Sequence, residues 1–201
     1  MRTFIAICLL LTLSACLSTR PSNPSNVCHM FEERRSWYKA AQRTEDRWGV
    51  PVPVTMAFIH QESSFQSRAR PDRTRLLWVI PWKRPSTARG YAQALDSTWA
   101  DYQRETGNSR ARRSSFADAV DFIGWYNAHS QRRSNIALYD ARNLYLAYHD
   151  GHTGFNRGTW QDKPWLKEVA ATVQSNADRY AAQYATCRED LGKSWFWRLF
   201  T

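Results

Sequence analysis

The sequence predicts a mainly α-helical protein with a single domain. Apolar and charged residues recur at helical spacing over most of the chain, whereas strand signals are scarce. The stretch from Cys28 onward has the length of one domain, and 43% hydrophobic residues with ten tryptophans are enough for a sizeable core. We find no internal repeat and no long low-complexity tract.

Six helices are predicted in order along this domain. The first runs from His29 to Trp48 and ends at Gly49-Val50-Pro51. The other five cover residues 54–62, 96–105 with Asp96 as candidate cap, 115–133, 136–149 and 164–186. Leu77 to Ile80 could pair briefly as a strand, but Pro81 and Pro85 favour an edge or a loop.

The amino terminus has the pattern of a secretory signal peptide. Arg2 is followed by thirteen residues, 3–15, that are almost all apolar and too few to span a membrane as a helix. The sequence Leu13-Ser14-Ala15-Cys16 matches the bacterial lipobox, so we expect Cys16 to become the lipidated first residue. An ordinary signal peptide with an incidental Cys16 is the alternative.

These features divide the chain into a signal peptide (1–15), a lipidated flexible tether (16–27) and the helical domain (28–201). The tether is predicted because residues 17–27 are rich in Ser, Pro and Asn and cannot form a core. Leu17 stands where an aspartate would favour retention at the inner membrane. We therefore expect a lipid-anchored protein of the bacterial envelope that faces the periplasm, at the outer membrane.

The four cysteines have separate expected fates. Cys8 leaves with the signal peptide and Cys16 takes the lipid, which leaves Cys28 and Cys187 as one pair in an oxidising compartment. A disulfide between them is predicted, with two buried free thiols as the alternative. The sequence has no zinc signature, and we expect neither a metal nor a cofactor.

The chain is strongly basic, with 28 Lys and Arg against 18 Asp and Glu and a net charge of +10. This charge predicts an anionic polymer as partner, and the predicted compartment excludes nucleic acid. A solvated basic loop without a specific ligand is the alternative. Seven of the basic residues lie in the segment 66–89: Arg68, Arg70, Arg73, Arg75, Lys83, Arg84 and Arg89.

Glu62 is the candidate catalytic residue. It lies where an apolar helix gives way to the polar residues Ser63 and Ser64. Partial desolvation there would raise its pKa and keep a proton available for a leaving oxygen. Many glutamates at helix ends are instead solvated caps, so this position alone is a weak indication.

Three segments together give a resemblance. Glu62-Ser63-Ser64-Phe65 resembles an E-S-x-F motif, residues 90–99 (GYAQALDSTW) resemble G-L-M-Q-x-x-P-S-T-W, and residues 146–151 (LAYHDG) resemble A-Y-N-A-G. In this order the motifs are similar to those of the lysozyme-like SLT-type lytic transglycosylases. The long segment 66–89 resembles an insert found in a lipoprotein subgroup of that family. Tyr91-Ala92, Asp96 and His149-Asp150 depart from the family pattern.

The resemblance implies a lysozyme-like fold and a peptidoglycan substrate. Glu62 would cleave the bond between N-acetylmuramic acid and N-acetylglucosamine without water and leave a 1,6-anhydro ring. Ser63 or Ser64 would bond near the cleaved sugar, Tyr91 and Gln93 would bind substrate, and Tyr148 would hydrogen-bond Glu62. Ser64 as a helix cap and Tyr148 as a packing residue are the structural alternatives.

Other functions stay open on the sequence alone. A hydrolytic muramidase would need a second carboxylate, for which Asp72, Asp96 and Asp150 are candidates. A non-catalytic peptidoglycan-binding lipoprotein is favoured by the altered His149-Asp150, and a metal site of His149, Asp150 and His152 ranks lower. The aromatic segment 195–200 fits either a membrane interface or docking on its own domain. The sequence indicates no particular protein partner.

Overall fold

The computed structural model describes residues 20–72, 75–76, 80–81 and 86–193. The predicted signal peptide, Cys16 and the aromatic segment 195–200 therefore lie outside the described residues. The helices are α1 (Val27–Glu33), α2 (Arg35–Trp48), α3 (Val52–Ser63), α4 (Asp96–Thr106), α5 (Phe116–Ser134), α6 (Ala141–Arg157) and α7 (Pro164–Gly192). No helix in these ranges has the length and apolar character needed to cross a membrane.

Two short strands complete the described structure. β1 (Arg75–Leu76) pairs antiparallel with β2 (Ile80–Pro81), with Leu76 opposite Ile80. The brief strand predicted at Leu77 to Ile80 meets this pairing only at Ile80, because residues 77–79 lie outside the described residues, and the shortness of β2 agrees with its proline. The described residues thus form a mainly α single domain, as the sequence predicted.

Helix α3 is the centre of the core. Every residue from Val52 to Ile59 is buried, Thr55 being the one polar residue among them, and partly exposed residues start only with His60. It packs on α7 and also contacts α2, α5 and α6. The end of α3 is therefore held from several sides, and the position of Glu62 follows from this packing.

Helices α2 and α5 approach closely because Gly124 lies between them. A Cβ atom at Gly124 would lie 2.5 Å from the Thr44 methyl group and 2.6 Å from the Trp48 ring. Beside this contact Trp37 stacks on Phe116 with ring centroids 4.0 Å apart. The pair of helices forms a rigid side of the domain against which the loop after α3 packs.

Three helices differ from the prediction by more than two residues, and the last of them, α7, continues six residues beyond its predicted end, to Gly192. The predicted first helix is divided at Arg34, whose φ and ψ of −135° and 75° are not helical, although the apolar spacing continues across it. Helix α6 begins five residues later than predicted and continues past a kink at Gly151, where φ is 71° and ψ is 159°. That conformation is accessible almost only to glycine, so the kink follows from the residue type.

The predicted disulfide between Cys28 and Cys187 is confirmed, with Cα atoms 6.0 Å apart. It joins α1 to the last third of α7.

Residues 20–27, assigned to the flexible tether from sequence, lie against the domain. The Gln183 side chain accepts from Val27 N at 3.0 Å and donates to Ser25 O at 3.1 Å, and Tyr180 donates to Pro24 O. Composition pointed to a free segment, but it did not reveal the partners that α7 supplies. The described part of the predicted tether is thus bound along α7.

Candidate active site

Glu62 lies in the last turn of α3, and the residues after it fix where it points. Ser64 ends the helix in the left-handed conformation at φ 47°, and its N–H donates to His60 O at 2.8 Å. Phe65, also at positive φ, is fully buried and stacks on Trp37 at 5.7 Å. The chain therefore turns sharply, and Glu62 stays at the surface end of a buried helix.

The carboxyl group of Glu62 has a pKa raised to about 7, because burial disfavours its charged form. The Tyr145 hydroxyl donates a hydrogen bond to it, which partly offsets the desolvation. In return, burial and the nearby Glu62 charge raise the pKa of Tyr145. A carboxylic acid with this pKa is half protonated near neutral pH, which suits a general acid that must later act as a base.

Glu62 opens onto a cleft of about 650 Å³. The cleft lies between the end of α3 and the segment 66–72, and Gln93 closes one side. Polar and charged side chains dominate its lining. The described lining residues are Gln61, Glu62, Ser63, Ser64, Gln66, Arg68, Ala69, Arg70, Pro71, Asp72 and Gln93.

Gln93 connects this cleft to a second cavity of about 310 Å³. Its side-chain amide donates to Ala69 O at 3.0 Å and to Gly90 O at 2.7 Å. Since both amide hydrogens are used, the amide oxygen is the atom that can accept from a ligand. The second cavity continues along Thr98, Tyr126, Tyr148 and His149, so the two form an extended groove.

The expected bond from Tyr148 to Glu62 is not the one in the structure. The Tyr148 hydroxyl donates to Ala92 O, and Tyr145 is the hydrogen-bond partner of Glu62. Both tyrosines lie on one face of α6, three residues apart, and both are electrostatically coupled to Glu62. The tyrosine spacing could have indicated Tyr145 as a second candidate, but the motif places its tyrosine at 148.

Tyr91 was expected to bind substrate and is instead a core residue. Its side chain is 4% exposed, and its ring packs edge-on against Trp37 and Phe116. The Tyr91 ring thus fills the space under the loop, at the position where the resembled motif has a leucine.

The two serines differ in their availability. The Ser63 hydroxyl donates to Ile59 O at 3.1 Å within α3 and is buried. Ser64 is partly exposed at the cleft, and its carbonyl accepts from Arg20 Nε at 3.1 Å. Ser64 therefore ends the helix, which was the alternative given to its role in binding. It is also the more accessible of the two serines to a ligand in the cleft.

The departures His149 and Asp150 have a structural explanation. The Asp150 side chain is 1% exposed and accepts from Lys163 Nζ at 2.7 Å and from Thr159 Oγ1 at 2.9 Å. The His149 ring packs edge-on against Trp165. His152 forms a hydrogen bond with the Ser130 hydroxyl at 3.0 Å, and burial lowers the pKa of His152 to about 4. Among the described residues no group of three or more His, Cys, Asp or Glu could hold a metal ion.

The three candidate second carboxylates occupy different environments. Asp72 lines the same cleft as Glu62. Asp96 does not cap α4 with its side chain but pairs with Arg113 at 2.6 Å, which holds the pKa of Asp96 low. Asp150 is engaged at the kink of α6. Only Asp72 of these three shares the cleft.

A desolvated carboxyl group on the wall of an extended polar groove is an arrangement that glycan-cleaving enzymes use. The family model described as transglycosylase SLT domain matches residues 4–187, and the chain belongs to this family. It is accordingly a lysozyme-like, lytic transglycosylase-type enzyme that acts on peptidoglycan. No curated protein and no solved structure matches the chain.

Proposed function

We propose that this enzyme cleaves the β-1,4 bond between N-acetylmuramic acid and N-acetylglucosamine without water, with Glu62 as acid and then base. The observation that carries the proposal is the Glu62 carboxyl group, with a pKa of about 7, on the wall of a 650 Å³ cleft. One group can then be protonated when bond breaking starts and take up a proton afterwards.

The proposed reaction needs no reagent beyond the glycan. The Glu62 proton passes to the oxygen that leaves with N-acetylglucosamine as its bond to C1 of the muramic sugar breaks. The C6 hydroxyl of that sugar then attacks C1 and returns its proton to Glu62. The bond lost is C1–O4, the bond formed is C1–O6, and the carboxyl group is restored.

Neighbouring groups support these two steps. Tyr145 holds the carboxyl group in one orientation through its hydrogen bond. Ser64 and Gln93 lie in the same cleft and would position the sugars on either side of the cleaved bond. The polar lining would hold hydroxyl and acetamido groups of the glycan.

Glu62→Gln tests the proposal. Glutamine keeps the size of the side chain but cannot supply the proton, so we expect 1,6-anhydromuropeptide release to fall by at least about 10²- to 10⁴-fold. Products released from purified sacculi are measured by mass spectrometry, with thermal unfolding as the control for folding. Undiminished turnover in the variant would exclude Glu62 as the catalytic acid.

A hydrolytic muramidase is the second candidate, because Asp72 lines the cleft with Glu62. Asp72→Asn distinguishes the two reactions. The non-hydrolytic proposal expects anhydro products at close to wild-type rate, whereas hydrolysis assisted by Asp72 expects reducing ends from the wild type and their loss in the variant.

The placement of the enzyme in the envelope is a further part of the proposal. Residues 1–15 would be removed, and lipid on Cys16 would hold the enzyme at the outer membrane, facing the periplasm. Cys16→Ala should then release the protein from membranes. If the variant stays in the membrane fraction in high salt, lipid on Cys16 is not what anchors the protein.

A further inference from the structure

Another cavity, distinct from the 310 Å³ cavity beyond Gln93, lies directly beside the catalytic cleft. It has a volume of about 580 Å³, and the segment Arg68–Arg70 lines both spaces. The segment is thus the wall between them. We call this 580 Å³ cavity the arginine pocket, because its described lining includes Arg68, Arg70, Arg89, Arg112 and Arg113.

The wall of the arginine pocket is held by main-chain hydrogen bonds. Ala69 O accepts from Gly90 N at 2.9 Å and from the Gln93 amide at 3.0 Å, while Tyr91 N donates to Arg113 O at 3.1 Å. Gly90 touches Arg113 so closely that a Cβ atom would lie 2.2 Å from Arg113 O. The arginines therefore extend from backbone whose position is fixed, and Gln93 links this backbone to the Glu62 cleft.

The charge of the arginine pocket is not balanced from within. Asp96 is the only carboxylate in its described lining, and it already pairs with Arg113 at 2.6 Å and with Arg89 at 3.5 Å. Arg68, Arg70 and Arg112 are exposed, and among the described residues no carboxylate lies within 4.0 Å of their guanidinium groups. The sequence between Asp72 and Asp96 contains no acidic residue that could add one.

We propose that the arginine pocket binds carboxylates of the acidic stem peptide that branches from the muramic sugar while the glycan lies in the catalytic cleft. This assignment rests on the proposed function, because the shared wall places an anionic branch of the glycan next to the arginines. Guanidinium groups suit carboxylates, since each can donate two parallel hydrogen bonds. The pocket would make cleavage depend on stem peptides.

Turnover on two substrates tests this dependence. Intact sacculi are compared with glycan from which an amidase has removed the stem peptides, using Arg89→Gln/Arg112→Gln, whose residues line the arginine pocket but not the Glu62 cleft. We expect the ratio of turnover on intact to stem-free glycan to fall about tenfold, the size of one or two lost charged hydrogen bonds. Arg142→Gln/Arg157→Gln removes the same charge elsewhere and should keep the ratio.

Equal losses on both substrates, or no loss, would overturn the assignment. So would an equal fall of the ratio in the control variant, because it would show a general effect of net charge.

A binding measurement separates failure of the pocket from failure of the proposed reaction. Free stem peptide is titrated calorimetrically into the Glu62→Gln protein, alongside the same peptide with amidated carboxyl groups and inorganic phosphate. We expect the acidic peptide alone to bind, about tenfold more weakly in the arginine variant.

Binding of phosphate without the peptide would overturn the proposal in favour of a phosphate-bearing ligand. If the peptide binds but the wild type shows no turnover, the assignment of the arginine pocket is supported and the proposed reaction is excluded.

Discussion

The Glu62 carboxyl group lies between a buried helix end and two tyrosines of α6, and this environment has a cost in stability. Its pKa rises from 4.5 in the unfolded chain to about 7 in the fold, so the folded state binds more protons between these values. The free energy of unfolding is therefore highest, as far as Glu62 is concerned, below pH 4.5, and it decreases as the pH rises toward 7. The acid that the reaction needs is obtained by burying a group that prefers water.

Glu62→Gln should accordingly stabilise the protein at high pH. Removing the ionisable group should raise the free energy of unfolding by up to about 3 kcal/mol at pH 8 and by little at pH 4. Thermal unfolding of both proteins across this pH range gives the measurement. A difference that does not depend on pH would mean that the carboxyl group is not desolvated.

Tyr145→Phe should change both the rate and its pH dependence. The lost hydrogen bond favours ionised Glu62, so its pKa should rise by about one unit and the alkaline fall in turnover should move to higher pH. We also expect turnover to fall about tenfold because the carboxyl group loses its orientation. The measurement is the pH profile of anhydromuropeptide release.

Tyr148→Phe is the matched control, because that hydroxyl donates to Ala92 O instead. A shift of the pH profile in this variant and none in Tyr145→Phe would reverse the assignment of the two tyrosines.

Some residues of the candidate site could be predicted from the sequence and others could not. The change from apolar to polar residues at the end of α3 indicated Glu62 only weakly, and its place in the Glu62-Ser63-Ser64-Phe65 motif, together with the two later motifs, selected it. The partner of Glu62 depends on the rotation of α6, which a linear motif does not contain. Tyr91 was misassigned for a similar reason, because its burial depends on Trp37 and Phe116 from distant parts of the chain.

Among the secondary-structure elements, the connection at Gly90 allows a matched test. Gly90 and Gly107 both have positive φ, at 79° and 69°, but a Cβ atom meets Arg113 O at 2.2 Å only at Gly90, with nothing within 4 Å at Gly107. Gly107→Ala should cost about 1 kcal/mol in conformational strain. Gly90→Ala should cost at least about 3 kcal/mol, because the backbone of Arg113 must move.

Urea unfolding of the two variants measures this difference. Similar losses would mean that the loop can relax, and that the wall between the cleft and the arginine pocket is not fixed.

Helix positions were predicted well where the sequence contains a stop signal. Gly49-Val50-Pro51 ended α2, and the ends of α3, α4 and α5 differ from prediction by one or two residues. The division at Arg34 has no such signal, since arginine is a good helix former and its departure follows contacts with Arg20 and Trp37. The continuation of α6 past Gly151 was missed because glycine reads as a helix end.

For the whole molecule, the disulfide joins residues 159 apart and closes most of the domain into one loop. By loop entropy it should stabilise the fold by roughly 5 kcal/mol at most. We expect Cys28→Ala/Cys187→Ala to lose about 2 to 5 kcal/mol while Glu62 stays in place, since aromatic contacts such as Phe31 with Tyr184 also hold α1 on α7. Chemical denaturation with and without reductant measures the loss, and wild type unaffected by reductant would contradict it.

A hydrogen bond from Arg20 Nε to Ser64 O fixes residue 20 beside the loop that follows Glu62. If Cys16 carries the lipid, four residue steps, at most about 14 Å of extended chain, separate the anchor from the backbone of Arg20, whose side chain contacts the loop beside Glu62. The short tether would then restrict the enzyme to cleaving glycan close to the bilayer. Inserting a long Gly-Ser stretch between residues 18 and 19 should increase anhydromuropeptide release in intact cells and leave turnover of the detergent-solubilised enzyme unchanged. Equal release in cells would show that distance to the membrane does not limit cleavage.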